Sequence, residues 1–318
     1  MYIKNKSILR EKISANIKEY MIFIIAFGIF IIFSIVLFDK GFLTGVNILN
    51  IFRQTAMISV MAVGYTFVMA TGEIDLSIGS TIALTALISA IVVGKFGILA
   101  SLIAAVSFGA LIGFINGFFV VKVKIPSFLA TLAMMIMVQG FARWITQLRA
   151  ISVTNKTFNF IFGGGNLGRV PILFIWTLLF IIIGHFIMVK TSFGRKVLAT
   201  GGNQVAARFS GINTGNIKWL LFTVLGAIAA ITGMLYTGRM TAARYSYGEN
   251  DLFTIMAAVI IGGNSIYGGK GTVVGAFIGS IIIGMVNNGL ILFGLNVDLQ
   301  IIFKGAIILL AIILSPKE

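Results

Sequence analysis

Glu73 and Asp75 stand two residues apart in Thr71-Gly-Glu-Ile-Asp-Leu-Ser77, a turn that interrupts a long apolar run. Charged groups at membrane depth cost a few kcal/mol unless they are paired or wet, so this turn must line water or protein. Two such carboxylates could relay protons, which is the chemistry of an ion-coupled transporter. The remaining inventory excludes more than it offers. Cys is absent, which removes disulfides, thiolate metal sites and cysteine nucleophiles. The single histidine, His185, lies in the apolar run Ile181 to Val189 and reads as a polar group satisfied between helices near a membrane face. With one His and no Cys there is no paired nucleophile and base, so an enzyme is not expected. Gly268-Gly-Lys270-Gly-Thr272 resembles part of a phosphate-binding loop. Its Lys is followed by Gly where a hydroxyl must hold magnesium, and the upstream glycine spacing fails.

The elements that must position these residues are membrane helices. Of 318 residues 58% are hydrophobic and 10% charged, against about 25% charged in a soluble domain, so most of the chain faces lipid or other helices. The net charge of +15 is spread over loops and termini, which suits a membrane protein with positive inner loops better than a nucleic-acid binder. Met1 to Tyr20 is basic and mildly amphipathic, and is expected to lie on the cytoplasmic membrane surface, with residues 21–318 forming a single transmembrane domain. The spans expected are Met21–Phe38, Thr55–Ala70, Ile78–Val93, Ile98–Val121, Phe128–Ile145, Ile172–Val189, Trp219–Gly238, Leu252–Tyr267, Thr272–Phe293 and Leu299–Leu314. That gives about ten transmembrane helices, an all-α integral membrane protein, with Asp39–Gln54 as an outer connection and both termini inside. A nine-span alternative makes Leu252–Tyr267 re-entrant. On the ten-span count the inner side carries 14 basic residues and the outer side nine.

Lys190 to Lys218 carries five basic residues and no acidic one, and reads as a cytoplasmic loop. Within it Asn203 can cap a short helix from Gln204 to Phe209 that Gly211 ends. A two-turn polar helix between spans is either a plain hairpin linker or a surface offered to a partner. On the other side, Arg143, Arg149, Lys156 and Arg169 in one loop and Arg239 and Arg244 in another run against the usual bias. They either touch lipid phosphates or receive carboxylates from an extracytoplasmic partner. The polar residues Asn116, Thr131, Gln139, Asn287 and Asn288 inside spans, with Asp75 and Ser77, either hydrogen-bond between helices or line a substrate path. Gly109, Gly113 and Gly117, and later Gly275, Gly279 and Gly284, have the spacing that lets helix backbones approach closely. Evidence for an internal repeat is weak.

Four stretches in order resemble the ribose-type permeases of bacterial ATP-binding cassette (ABC) sugar importers. They are Thr66-Phe-Val-Met-Ala-Thr-Gly-Glu-Ile-Asp-Leu-Ser-Ile-Gly-Ser80; Asn116-Gly with Lys124-Ile-Pro-Ser-Phe-Leu-Ala-Thr-Leu132; Gly201-Gly-Asn-Gln-Val-Ala-Ala-Arg-Phe-Ser-Gly-Ile-Asn213; and Ala257-Ala-Val-Ile-Ile-Gly-Gly263 through Gly268-Gly-Lys-Gly-Thr272 to Asn287-Asn-Gly289. The resemblance implies a type II ABC importer permease-like bundle that dimerises with a second permease subunit. It also implies a cytosolic ABC ATPase that binds ATP and Mg, and an extracytoplasmic sugar-binding protein. Gly202, Asn203, Gln204, Ala206, Ala207, Arg208, Ser210 and Gly211 would then couple to the ATPase. Asp75, Ser77, Asn116, Thr131, Gln139, Asn287 and Asn288 would serve as pathway or gate residues, and Arg143, Arg149, Lys156, Arg239 and Arg244 would face the binding protein. Glu73 stands where the family usually has Gly, Lys270 where Arg is common, and Glu249 and Asp251 replace acids expected at Leu252 and Thr254. These departures leave the solute open among ribose, xylose, autoinducer-2 and other small polar molecules. An ion-coupled transporter using Glu73 and Asp75 and a flux-free membrane scaffold are the rival classes.

Overall fold

The fold is taken from a computed structural model, which describes residues 21–314. The expected amphipathic segment 1–20 lies outside the described residues. The helices are α1 (Met21–Val36), α2 (Gly45–Ala70), α3 (Ile78–Phe118, continued by a π turn Phe119–Val123), α4 (Ser127–Thr146), α5 (Lys156–Asn159), α6 (Ile172–Lys190), α7 (Ser192–Gly202), α8 (Gln204–Phe209), α9 (Thr214–Met240), α10 (Asp251–Ile261), α11 (Val273–Leu292) and α12 (Val297–Leu314). Among the described residues six helices are long and apolar enough to cross a membrane: α2, α3 with its π turn, α4, α6, α9 and α11.

Straight, the 41 residues of α3 would reach about 60 Å, twice a bilayer core. Gly97 prevents that with φ +82, a left-handed conformation only glycine takes without strain. The chain folds back, since the Ser101 hydroxyl donates to the Ser89 carbonyl at 2.9 Å across twelve residues. α3 is therefore the two arms expected as separate spans. α9 packs along both. Gly226 lies against Gly109, and Phe222 against Gly113 on the second arm, while Gly233 lies against Ile82 and Ala86 on the first.

Two expected boundaries shift. α2 begins ten residues before Thr55, inside the expected outer connection, because Thr44 caps it by accepting from the Asn47 N–H at 3.3 Å. Arg53, inside that early part of α2, is satisfied by Asn50 and Asn166 at 3.0 and 2.9 Å. His185 is exposed on α6 instead of lying between helices of this chain. α10 has 11 residues, about 16 Å of helix and too short to span. Asp251 at its start bonds the Tyr236 hydroxyl near the end of α9. After the Gly262–Gly263 break, the Gly269 N–H donates to Ala70 O at the end of α2 at 2.9 Å. The stretch from Asp251 to Gly269 thus traverses the bundle, half as helix and half as irregular chain in which Asn264, Ser265 and Gly268 are buried and Tyr267 is exposed.

The bundle has two unlike ends. One carries α7 and α8. The other carries the loops after α4 and α9, stitched together by a two-residue antiparallel ladder, Ile151–Ser152 with Ala242–Ala243. The expected polar loop Gln147–Val170 is mostly exposed but anchored by two aromatics, with Phe158 and Phe162 buried and Phe162 stacked on Trp176 at 5.7 Å.

Asn47 and Asn288 exchange both amide hydrogen bonds, at 3.0 and 2.9 Å, inside the α2–α11 contact. This is packing, so Asn288 is not on an open path. Asn47→Ala or Asn288→Ala leaves a buried amide single and should each cost about 0.6–2 kcal/mol. The double variant should cost clearly less than the sum, as read by thermal unfolding in detergent. Additive losses would show the pair is not formed.

Candidate functional site

Between Ala70 and Ile78 the chain leaves helix, and its backbone groups need other partners. Two hydroxyls of α4 supply them. Ser127 Oγ accepts from the Ile74 N–H at 3.2 Å, and Thr131 Oγ1 accepts from the Leu76 N–H at 3.0 Å. Pro126, at the N-cap, sets the entry to α4 and so the position of both. At the far side of the segment, Asp75 Oδ1 accepts from the Ser77 N–H and hydroxyl, both at 2.7 Å, and the Asn116 amide reaches Ser77 Oγ at 2.8 Å. Asp75, Ser77, Asn116 and Thr131 are all buried. Four of the seven expected pathway residues therefore build the wall of this segment, with Asn116 Oδ1 the one side-chain oxygen among them left without a partner.

The two carboxylates of the turn part company. Asp75 folds inward to start α3, while Glu73 reaches Lys218 Nζ of α9 at 2.5 Å. The same Nζ donates to Gln204 Oε1 of α8 at 3.2 Å. Neither carboxylate is a bare proton carrier.

Beside the extended segment lies a cavity of about 650 Å³, within the range of small-molecule sites. Ile74, Leu76, Gly79 and Ser80 form one wall; Phe128, Leu132, Met135 and Gln139, at helical spacing along one face of α4, form the second; Leu252, Phe253 and Met256 of α10 form the third. Its polar end is Gln139, which donates to Glu249 Oε1 at 2.5 Å; the same oxygen receives Arg143 at 3.3 Å. Of the expected pathway residues only Gln139 lines the cavity. Glu249 was not expected there, because the sequence does not reveal that the loop after α9 folds down beside α4. Asn287 is half-buried, and its carbonyl has no partner within the protein.

At the opposite end, α8 forms as its spacing predicts. Asn203 Oδ1 accepts from the Ala206 N–H at 2.9 Å, and Gly211 turns the chain with φ +82. Gln204 and Arg208 hold the root of α9, Arg208 Nε donating to Thr214 Oγ1 at 2.9 Å. Ala207 is buried, while Gly202, Asn203, Ala206, Ser210 and Gly211 are exposed. The most prominent residue is Phe209, 89% exposed, with Val205 at 65%. Both were passed over among the coupling residues, although an aromatic on a short polar helix was a usable signal.

The outer cations divide. Arg149, Lys156 and Arg244 are exposed. Arg143 is exposed too, but it pairs with Glu249 and lies 5.6 Å over the Tyr245 ring. Arg239 is partly buried and donates to Arg53 O at 3.1 Å, so it braces α9 on α2 and is a poor docking residue. Burial pushes the Tyr247 hydroxyl above its ordinary range, with Arg244 opposing. Among the described residues no group of three or more His, Asp or Glu side chains could hold a metal.

A helical bundle with broken spans, a walled cavity and an exposed helix at one end is the architecture of a transport permease. The chain matches, over residues 47–312, the family described as Branched-chain amino acid transport system / permease component, and it belongs to that family. It is thus a multi-pass membrane protein of the permease kind. It is 36% identical over 285 residues to the ribose import permease protein RbsC of Escherichia coli K12, covering 88% of each chain. It is 37% identical over 294 residues to RbsC of Bacillus subtilis 168, covering 92% of this chain and 91% of that one. It is 31% identical over 361 residues to the xylose transport system permease protein XylH of Haemophilus influenzae, covering 94% and 96%.

Proposed function

We propose that this chain is the membrane-spanning subunit of an ATP-driven importer in the bacterial inner membrane, carrying a monosaccharide of the ribose or xylose kind from an extracytoplasmic binding protein into the cytoplasm. The observation that carries the reading is α8, a capped helix presenting Phe209 and Val205 to solvent at the end of the bundle away from the loops. Val205 and Phe209 stand four residues apart on one face of α8, and an exposed aromatic beside a second apolar side chain is the kind of anchor that a partner's pocket covers. On this reading the α8 end and the N-terminus face the cytosol and meet the ATPase, which binds ATP and Mg. The opposite end offers Arg149, Lys156, Arg244 and part of Arg143 to carboxylates of the binding protein. The ribose and xylose permeases among the relatives support the sugar assignment.

The cavity suits a passing sugar. Its walls are apolar apart from Ser80, whose hydroxyl donates to Ser77 O, and the Gln139–Glu249 end, so C–H faces are accommodated and few hydroxyls are held. Weak contact lets a solute leave as well as enter. Its open side would be closed by a second permease subunit. The ion-coupled alternative loses its proton-relay pair, because Glu73 and Asp75 have separate partners.

The test is reconstitution. Vesicles holding the permease with its ATPase and binding protein should accumulate labelled ribose or xylose on adding ATP, and vesicles holding the permease alone should not. Uptake by the lone chain down a proton gradient would overturn the proposal.

A further inference from the structure

We infer that Glu73, Lys218 and Gln204 form a mechanical tether that transmits displacement of α8 to the wall of the cavity, with Lys218 as its positioning residue. The inference rests on the importer reading above and adds the route by which the driving end reaches the solute.

Three segments with no reason to share a hydrogen-bond network meet at one ammonium group. Lys218 Nζ, in the first turns of α9, contacts Glu73 Oε1 at 2.5 Å and Gln204 Oε1 at 3.2 Å. The side chains of Lys218 and Glu73 are 11% and 13% exposed. Pairs so shielded are weakly screened by salt, and breaking one by removing a partner leaves an uncompensated charge. Glu73 opens the extended segment whose next members, Ile74 and Leu76, line the cavity. That segment has no helix or sheet ladder of its own and hangs from α4 by the Ser127 and Thr131 hydroxyls. A pull on Glu73 is therefore delivered to Ile74 and Leu76 against side-chain hydrogen bonds from Ser127 and Thr131 and the Asp75–Ser77–Asn116 cluster, whereas a pull on regular helix would be resisted by every turn.

A second contact fixes the root about which α8 moves. Gly201, next to the end of α7, lies so close to Ala70 O and Gly269 N that a Cβ on it would fall 1.9 and 2.6 Å from them. Both interruptions of the membrane helices, the one after α2 and the one after α10, thus abut α7, whereas α8 itself is joined to the cavity wall through the Gln204–Lys218 hydrogen bond and the Lys218–Glu73 ion pair. Without the tether, α8 would move with α9 and leave the segment on α4.

The experiment uses the full permease–ATPase–binding-protein assembly with Glu73→Gln, Lys218→Gln and the swap Glu73→Lys with Lys218→Glu. Co-purification of the ATPase is recorded first, because its absence with the wild-type chain defeats the importer reading and not this one. In assemblies that form, each single variant should lower sugar moved per ATP hydrolysed about tenfold while ATP turnover stays within about twofold, and the swap should restore at least half of the coupling. This chain has no Cys, so spin labels at Leu76→Cys and Leu132→Cys, attached to the permease before the assembly is formed, report the segment against α4. The change in their separation on trapping ATP should vanish in Glu73→Gln. Wild-type coupling with an undiminished distance change in the single variants, or a swap no better than they are, would overturn the tether.

Discussion

Phe209→Ser will release the ATPase from the permease while leaving the permease folded. The ring is 89% exposed, so its removal takes almost nothing from the bundle, and unfolding in detergent should shift by less than about 0.5 kcal/mol. At a partner's surface the same ring would be an anchor. Truncating a central aromatic anchor costs about 2 kcal/mol or more, a loss of about 30-fold in affinity at each of two copies. Phe209→Leu should keep most of the binding, since it still fills an apolar cleft. The measurement is co-purification of the ATPase with sugar-stimulated ATP turnover. Phe209→Ser that retains the ATPase at wild-type yield would show that α8 is not the docking helix. A charge reversal at Arg208 with a bulky residue at Gly211 is a worse probe. Arg208 holds Thr214 at the root of α9, and Gly211 has φ +82, so that double variant would bend the elbow itself.

Much of this was legible in residues whose physics is local. Asn203 and Gly211 bracket α8, Pro126 opens α4, and lengths of apolar run locate most spans, because caps, prolines and hydropathy act within a few residues. Long-range pairings were not legible. Nothing in the one-dimensional order says that Lys218 meets Glu73, 145 residues away, or that Asn288 meets Asn47 and not a solute. The polar span residues were read as path or packing, and geometry divides them: Asp75, Ser77, Asn116 and Thr131 build the broken helix, and Gln139 alone reaches the cavity. The start of α2 lies inside the expected outer connection, where Arg53 is satisfied by a residue distant in sequence. A charge reads as solvent until its partner, here Asn166 from another loop, is known.

Gly226→Val should abolish the folded permease, the largest effect expected of any single substitution here. A Cβ on Gly226 would lie 2.0 Å from the carbonyl oxygen of Gly109, and one on Gly113 the same distance from Phe222 O. A C···O contact ordinarily needs about 3.3 Å, so α9 would have to retreat by more than about 1 Å. It has nowhere to go, because its other face meets the first arm of α3, where a Cβ on Gly233 would fall 2.6 Å from Ile82 O. Backbone cannot repack as a side chain can, and overpacking on this scale costs about 4 kcal/mol or more against a typical total of about 5–15. The monodisperse peak in detergent should be lost and the chain degraded. Gly94→Ala, where nothing lies within 4 Å of the new methyl, is the matched control and should be neutral or add up to about 1 kcal/mol of helix propensity. Were Gly226→Val to elute and unfold like the wild type, α9 could not lie between the two arms of α3, and the hairpin at Gly97 that places those arms on either side of it would have to be redrawn.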